Sequence, residues 1–227
     1  MPFKDLPERL AAVRESIDGA RRRGGHGQAV AIVAVTKSYD PEAPLAAWHA
    51  GLRDVGENRV QEAVAKMAQI EAPLRWHLIG HLQRNKVRQL DGFHLVHSMD
   101  SARLADALAA HGAARGRPVD VLLQLNVSGE GSKGGYEPGA LELEADRLGT
   151  LSGLTVRGVM TMAPLDGTEQ VLRAVFSGAR RCATRLQTAG HPATELSMGM
   201  SGDYEIAVEE GATLVRLGTV LFGARHA

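Results

Sequence analysis

The chain has 227 residues, and its 26 Lys and Arg residues balance its 26 Asp and Glu residues. A neutral chain has no global field to attract nucleic acid or an anionic membrane, so we expect neither as a partner. Cys182 is the only cysteine, which excludes an intramolecular disulfide and favours a cytoplasmic location. The sequence contains no stretch with the length of a membrane span, no signal-peptide core and no long linker. We therefore expect one domain over residues 1–227.

Strand and helix patterns alternate from one end of the sequence to the other. An amphipathic helix over residues 5–23 comes first, and Gly24 and Gly25 end it. Strands are predicted over residues 29–36, 53–56, 75–79, 93–97, 119–127, 154–161, 195–198 and 213–217. The intervening helices are predicted over residues 41–50, 58–70, 101–110, 138–151, 168–188 and 203–210, with a short basic helix between residues 80 and 90.

Helix boundaries and helix faces give further expectations. Asp100 is predicted to cap the helix over residues 101–110, and Gly112 to end it. Asp40 is likewise predicted to cap the helix over residues 41–50, with Pro41 at its first position. The helix over residues 168–188 is predicted to bury Val171, Leu172, Val175, Phe176, Ala179 and Leu186.

Eight strand–helix units in so short a chain predict an α/β fold, a single (β/α)8 TIM barrel with an extra N-terminal helix. The alternative is an open, doubly wound sheet, which usually has a Gly-rich phosphate-binding turn after its first strand. Here the turn over residues 37–41 reads Lys-Ser-Tyr-Asp-Pro and contains no glycine. The barrel is therefore favoured.

Lys37 ends the most apolar run of the sequence, residues 29–36. Such a run is typical of a strand buried on both faces. A charge at the end of this strand is costly, and burial favours the neutral amine, a nucleophile that can condense with a carbonyl. The alternative is that Lys37 simply extends into solvent.

The segments after the last two strands have the character of a phosphate site. Barrels commonly bind phosphate with the loops after strands seven and eight. Ser201 and Thr219 supply hydroxyl groups there, and Gly218 allows a close approach of the backbone. The alternative is that Ser201 is an ordinary helix cap and Gly218 an ordinary turn residue.

Arg216 alternates with Leu214 and Gly218 along the last strand, so it is predicted to point into the barrel. A buried arginine needs an acceptor, and the alternative is a structural ion pair with an acidic residue of another strand. A lysine amine, a phosphate site and an inward arginine together suggest pyridoxal 5′-phosphate (PLP). Arginine keeps its proton, so beside the ring nitrogen it would disfavour a pyridinium and weaken the ring as an electron sink.

Six stretches carry a resemblance that covers nearly the whole chain. They are residues 34–37, 56–62, 76–86, 158–164, 196–201 and 215–219 with 222–223. On these stretches the chain resembles the pyridoxal phosphate homeostasis proteins. The resemblance implies a barrel like the N-terminal domain of alanine racemase, the type III fold of PLP proteins. It also implies a Schiff base on Lys37, phosphate contacts from Ser201, Gly218 and Thr219, and Arg216 at the ring nitrogen. Further cofactor contacts are implied for Asn58, His77, Ser197 and Met198.

The resemblance implies a role in intracellular PLP (vitamin B6) homeostasis, with no established catalysis and with apo PLP-dependent enzymes as recipients. Racemization needs a second acid or base opposite the lysine, which in alanine racemase is a tyrosine of a separate domain. Here the chain ends soon after strand eight, and its tyrosines are Tyr39, Tyr136 and Tyr204. The alternatives are a PLP-dependent racemase or lyase, and a cofactor-free aldolase that uses Lys37.

Three weaker signals complete the sequence analysis. His77 and His81 lie on a predicted strand and turn with no evident carboxylate partner, so no metal site is expected. Lys133 lies in a Gly-rich loop, where it could contact a second cofactor molecule or be solvated. We expect a monomer, or at most a weak homodimer.

Overall fold

Eight parallel strands form a closed barrel in the computed structural model of the chain, which describes residues 3–127 and 134–223 apart from the Glu142 side chain. Each strand pairs with the next, and the last pairs with the first. The strands are β1 (Ala31–Val35), β2 (Asp54–Glu57), β3 (Arg75–Leu78), β4 (Phe93–Met99), β5 (Val119–Gln124), β6 (Leu154–Met160), β7 (Glu195–Ser197) and β8 (Leu214–Leu217). The predicted (β/α)8 barrel is confirmed.

Helices surround the barrel. They are α1 (Leu6–Gly24), α2 (Glu42–His49), α3 (Val60–Met67), α4 (Ala102–Ala114), α5 (Leu141–Gly149), α6 (Glu169–Thr188), α7 (Tyr204–Glu209) and α8 (Thr219–Phe222). Two 3-10 segments, Arg84–Gln89 and Pro138–Ala140, complete the connections after β3 and β5. The extra helix α1 packs against α7 and α8. Within the described residues, none of these helices combines the length and the apolar character needed to cross a bilayer.

The apolar residues form two separate clusters. A small cluster inside the barrel contains Val33, Leu95, Leu122, Met160 and Leu214. The larger cluster lies between the strands and the helices, and Val215 and Leu217 belong to it. Because side chains alternate along a strand, Arg216 shares the inner face with Leu214, as its spacing predicts.

Several helix boundaries differ from the prediction, and those of α4 and α2 bear on predicted caps and stops. Helix α4 continues to Ala114, past Gly112. A Cβ at Gly112 would collide with the carbonyl oxygen of Gly153. This glycine is therefore needed for a close approach of two backbones rather than for a helix stop. The N-cap of α4 is Ser101, not Asp100, and α2 begins one residue later than predicted, with Pro41 at its N-cap.

Helix α6 covers one side of the barrel and tests the predicted core. Five of its six predicted core residues are buried, whereas Val171 is 41% exposed, so the assignment of Val171 to the core was wrong.

Phe176 is fully buried. We expect Phe176→Ala to lower the free energy of unfolding by about 3–5 kcal/mol in a urea titration followed by circular dichroism. Val171→Ala, the control on the same helix, should stay within about 0.5 kcal/mol. Equal losses would contradict this packing.

Candidate functional site

Lys37 lies two residues beyond β1, at the carboxyl end of the barrel, and is half-buried. Lys37 follows Val33 by four residues, an even number, so the alternation of side chains places it on the same face as Val33, which faces the barrel interior. Strand β8 lies alongside β1, with Arg216 paired to Val33. A Cβ placed on Gly218 would lie 3.5 Å from the Cβ of Val35. The lysine and the loop after β8 therefore lie at one side of the barrel mouth.

An ionic cluster, defined here as Glu57, Glu62 and Lys66, lies behind the end of β1. Glu57 and Lys66 are buried, and Glu62 is partly exposed. Lys66 Nζ is 2.7 Å from Glu57 Oε1 and 2.9 Å from Glu62 Oε1. It also donates to the carbonyl of Thr36 at 2.8 Å, and the Thr36 hydroxyl donates to Glu57 Oε1 at 2.6 Å. Burial raises the pKa of Glu57 above its usual value in spite of Lys66. The second oxygen of Glu57 has no hydrogen-bond partner in the described part of the chain.

The ionic cluster holds the backbone on both sides of Lys37. The N–H group of Ser38 donates to Glu62 Oε1 at 2.6 Å. Ser38 has a φ of 63°, a left-handed conformation that non-glycine residues adopt rarely. Burial opposes ionisation of Glu62, but its hydrogen bonds from Lys66 and Ser38 lower its pKa. The sequence analysis missed this cluster, although Glu62 and Lys66 have the i, i+4 spacing of a helix pair.

Arg216 is 4% exposed inside the barrel. Its Nη1 donates to the carbonyl and hydroxyl oxygens of Ser197 at 2.8 and 2.6 Å, and its Nη2 donates to the carbonyl of Thr161 at 3.0 Å. Burial lowers the pKa of Arg216 to about 10, against the attraction of Asp203. Among the described residues no carboxylate lies within ion-pair distance of Arg216, so the alternative of a structural ion pair is not supported there. These three bonds use three of the five N–H groups of the guanidinium.

Two histidines connect Ser197 to the opposite end of the barrel. His97 Nδ1 lies 2.8 Å from Ser197 Oγ, and its Nε2 lies 2.8 Å from His77 Nδ1. His77 Nε2 lies 2.9 Å from Asp54 Oδ1. Both ring nitrogens of His77 are thus bonded to protein groups, so it can reach a ligand only indirectly or with its carbon atoms. Sequence reasoning missed His97 and Asp54. Their only local signal is that each occupies a strand position whose side chain faces the barrel interior.

The loops after β7 and β8 contact each other through Ser201. The N–H group of Val220 donates to Ser201 Oγ at 3.3 Å. Among the described residues, the backbone N–H groups of Gly218 and Thr219 donate to no protein acceptor. Gly218 is half-buried and Thr219 is exposed. The structure therefore brings together the three residues of the predicted phosphate site, with backbone donors available.

The remaining predicted contacts lie around the same end of the barrel. Met198 is buried directly after β7, and Asn58 is half-buried directly after β2. A Cβ on Gly80 would collide with the backbone of Asn58, so the ends of β2 and β3 are closely packed. Lys133 lies outside the described residues. The described residues contain no group of three or more His, Cys, Asp or Glu side chains that could hold a metal ion.

The tyrosines hold positions that bear on acid–base chemistry. The hydroxyl of Tyr39 donates to the carbonyl of Gly223 at 3.2 Å, and its ring packs against Phe3 and Phe222. The hydroxyl of Tyr136 donates to Glu144 at 3.0 Å, and burial and that carboxylate raise its pKa far above the usual value. Tyr204 is buried on α7. Both described hydroxyl bonds therefore go to protein acceptors.

The barrel mouth combines groups that suit one kind of ligand. Lys37 can supply an amine, the loops after β7 and β8 supply N–H and hydroxyl donors, and Arg216 is a buried cationic donor. This donor set fits a molecule that has a carbonyl carbon, an anionic phosphate and a ring acceptor.

The fold and this site define the chain as a barrel of the alanine racemase N-terminal domain class. The family model described as alanine racemase, N-terminal domain, matches residues 9–226. The structure of alanine racemase from Clostridium difficile superposes with a TM-score of 0.78 at 14% identity, and the match covers 100% of this chain and 57% of that one. At that identity the likeness shows the fold alone.

Closer relatives share nearly the whole length of the chain. The Pyridoxal phosphate homeostasis protein of Aquifex aeolicus is 40% identical over 222 residues, which cover 96% of this chain and 97% of that protein. The structure of PipY from Synechococcus elongatus with PLP bound has a TM-score of 0.84 at 39% identity, and the match covers 96% of this chain and 100% of that one. This chain belongs to the pyridoxal phosphate homeostasis protein family.

Proposed function

We propose that this protein binds PLP at the barrel mouth and acts in the homeostasis of that cofactor, without catalytic turnover of its own. One observation carries the proposal: an amine, a pair of donor-bearing loops and a buried arginine lie at the same end of one barrel. The family adds support, since PipY has been solved with PLP bound.

Lys37 is the covalent anchor in this proposal. The cofactor supplies an aldehyde, and the neutral amine of Lys37 forms a C=N bond with its carbon while one water is released. The ionic cluster fixes the backbone around Lys37, because its members bond to Thr36 and Ser38 on either side. Water can reverse the bond, which suits a protein that holds and releases its ligand.

The other groups orient the cofactor. Ser201, Gly218 and Thr219 hold the phosphate, and Arg216 faces the ring nitrogen, with Asn58, Ser197 and Met198 nearby. Arginine remains a donor at neutral pH because even its lowered pKa is about 10. A ring nitrogen that only accepts a hydrogen bond stays unprotonated, and the ring then withdraws electrons weakly.

Two features favour a carrier over a racemase or lyase. One is that a cofactor ring with an unprotonated nitrogen withdraws electrons weakly. The other is that the hydroxyl groups of Tyr39 and Tyr136 are each bonded to a protein oxygen, so neither is poised as a second acid or base. In our proposal a monomeric, cytoplasmic protein buffers PLP and passes it to apo PLP-dependent enzymes.

The test uses the full-length protein and two related ligands. We expect PLP to give a yellow, borohydride-reducible adduct, and pyridoxal, which lacks the phosphate, to bind at least about tenfold more weakly. Assays of racemization, decarboxylation and elimination should stay well below about 1 per second.

Each outcome of this test bears on a separate part of the proposal. A protein that stays colourless with PLP would exclude cofactor binding and favour the cofactor-free aldolase. Equal affinity for pyridoxal would refute the phosphate site after β7 and β8. Turnover at ordinary enzyme rates would reject the carrier in favour of a PLP enzyme.

A further inference from the structure

A continuous line of buried polar side chains crosses the barrel interior, from Asp54 on β2 to Arg216 on β8. We call it the polar chain, and its members in order are Asp54, His77, His97, Ser197 and Arg216. Each member is at most 5% exposed. Buried polar groups are costly unless they are fully hydrogen-bonded, so a chain of five in the interior of a small barrel calls for an explanation.

The two ends of the polar chain set the direction of its hydrogen bonds. Arg216 can only donate. At the other end, burial opposes ionisation of Asp54, but the hydrogen bonds from His77 and Arg75 lower its pKa, so it is a carboxylate that only accepts. The four links need four protons. Arg216, the Ser197 hydroxyl and two neutral imidazoles supply one each, which matches the requirement.

With both imidazoles neutral, only one arrangement of protons satisfies all four links. Arg216 donates to Ser197 Oγ, and the Ser197 hydroxyl donates to His97 Nδ1. His97 Nε2–H then donates to His77 Nδ1, and His77 Nε2–H donates to Asp54. Burial, with a smaller effect from the charge of Arg216, lowers the pKa of His97 well below its usual value, which agrees with a neutral ring.

Other charged groups surround the polar chain without interrupting it. Arg75 Nη2 lies 2.6 Å from Asp54 Oδ2, the oxygen that His77 does not use. The ring of His94 lies 5.4 Å from the ring of His77, edge to face. Asp203 attracts Arg216 electrostatically from the side of the loop after β7. The polar chain therefore has one continuous path, and it ends on Arg216.

We propose that His97 is a positioning residue, held in one tautomer by His77 and Asp54, that fixes Arg216 as a donor to the ring nitrogen of the cofactor. This inference rests on the proposed function. His97 Nδ1 accepts a hydrogen bond from the Ser197 hydroxyl and so turns the lone pairs of that hydroxyl toward Arg216. The guanidinium has no carboxylate within ion-pair distance in the described residues, so its hydrogen bonds to Ser197 and to the Thr161 carbonyl orient it.

The first measurement needs no cofactor. Long-range 1H–15N spectra of the free full-length protein, with 15N-labelled histidine, report the tautomer of each ring. We expect His97 to be neutral and protonated on Nε2 at pH 7, with its signals assigned by their loss in His97→Asn. A proton on Nδ1, or a charged imidazolium, would overturn the arrangement.

The second measurement uses the loaded protein and a matched pair of variants. Asn and Leu have nearly the same size and shape, but only Asn can accept a hydrogen bond from the Ser197 hydroxyl. With PLP labelled with 15N in its ring, we expect His97→Leu to shift the ring-nitrogen resonance and to speed cofactor release about ten- to a hundredfold. His97→Asn should stay close to the wild type, as should the control His94→Leu on the same strand.

The outcomes separate this inference from the proposed function. Equal changes in His97→Asn and His97→Leu would indicate a merely structural role and overturn the inference, as would an unchanged His97→Leu. If the wild type takes up no PLP, the proposed function fails, while the tautomer measurement still decides whether the polar chain has this arrangement.

Discussion

Lys37→Ala is expected to abolish the borohydride-trapped adduct of PLP, so that at least about 99% of the label is lost from the protein. The C=N bond requires the ε-amine, and no other group near the end of β1 in the described residues provides one, since the amine of Lys66 is committed to three oxygen acceptors. Peptide mapping by mass spectrometry after reduction locates the label.

The matched control is Lys86→Ala, which removes a lysine from the 3-10 segment between β3 and β4. It should retain the full adduct on Lys37. If Lys37→Ala keeps a stoichiometric adduct on a different lysine, the assignment of the anchor is wrong, whereas a simple loss of folding would be visible in its circular dichroism. If the proposed phosphate and ring contacts are correct, we expect non-covalent PLP to remain in Lys37→Ala.

Lys66→Met is expected to cost about 3–5 kcal/mol of the free energy of unfolding at neutral pH. The reason is that it leaves the carboxylate of Glu57, which is fully buried, without its cation. It should also weaken PLP binding, since the Thr36 carbonyl loses its bond beside Lys37. Urea titrations of the full-length protein give the stability, and an absorbance titration gives the affinity.

The pH dependence of Lys66→Met has a definite sign. Glu57 already has a raised pKa in the folded protein, and the loss of Lys66 raises it further. A carboxyl group whose folded pKa is raised destabilises the fold as pH rises above the unfolded value of about 4.3. The difference in stability between Lys66→Met and the wild type should therefore be larger at pH 8 than at pH 5.

Two further variants test the interpretation of the ionic cluster. Glu57→Gln combined with Lys66→Met removes both charges, so it should recover much of the stability that Lys66→Met alone loses. Lys86→Met makes the same replacement at a lysine with no ion pair in the described residues, and it should change stability by less than about 0.5 kcal/mol. A loss below about 1 kcal/mol in Lys66→Met, or the opposite trend with pH, would contradict a buried charge pair.

Much of the candidate site could be predicted because its signals are local. The apolar run before Lys37, the hydroxyl and glycine residues after β7 and β8, and the inward parity of Arg216 can each be read within a few residues. The barrel follows from repeated strand–helix units in the same way. The prediction that Val171 is buried was wrong because helical spacing alone does not show where the apolar face ends.

The polar chain and the ionic cluster could not be predicted in this way. His97 and Ser197 are 100 residues apart in sequence, and Thr36 and Glu57 are 21 apart. Their contacts depend on the strand register and on closure of the barrel, which sequence periodicity does not report. Even Gly112 was misread as a helix stop, because its partner Gly153 is brought close only by tertiary packing.

The sequence by itself determined the order of strands and helices, the lysine at the end of β1 and the inward face of β8, because backbone geometry repeats over two to four residues. Only the tertiary structure decided what those residues contact. It placed the ionic cluster around the backbone of Lys37 and connected Arg216 to Asp54 through two histidines. Such contacts arise because closing the barrel brings distant strands within hydrogen-bond distance, where each buried donor must find an acceptor.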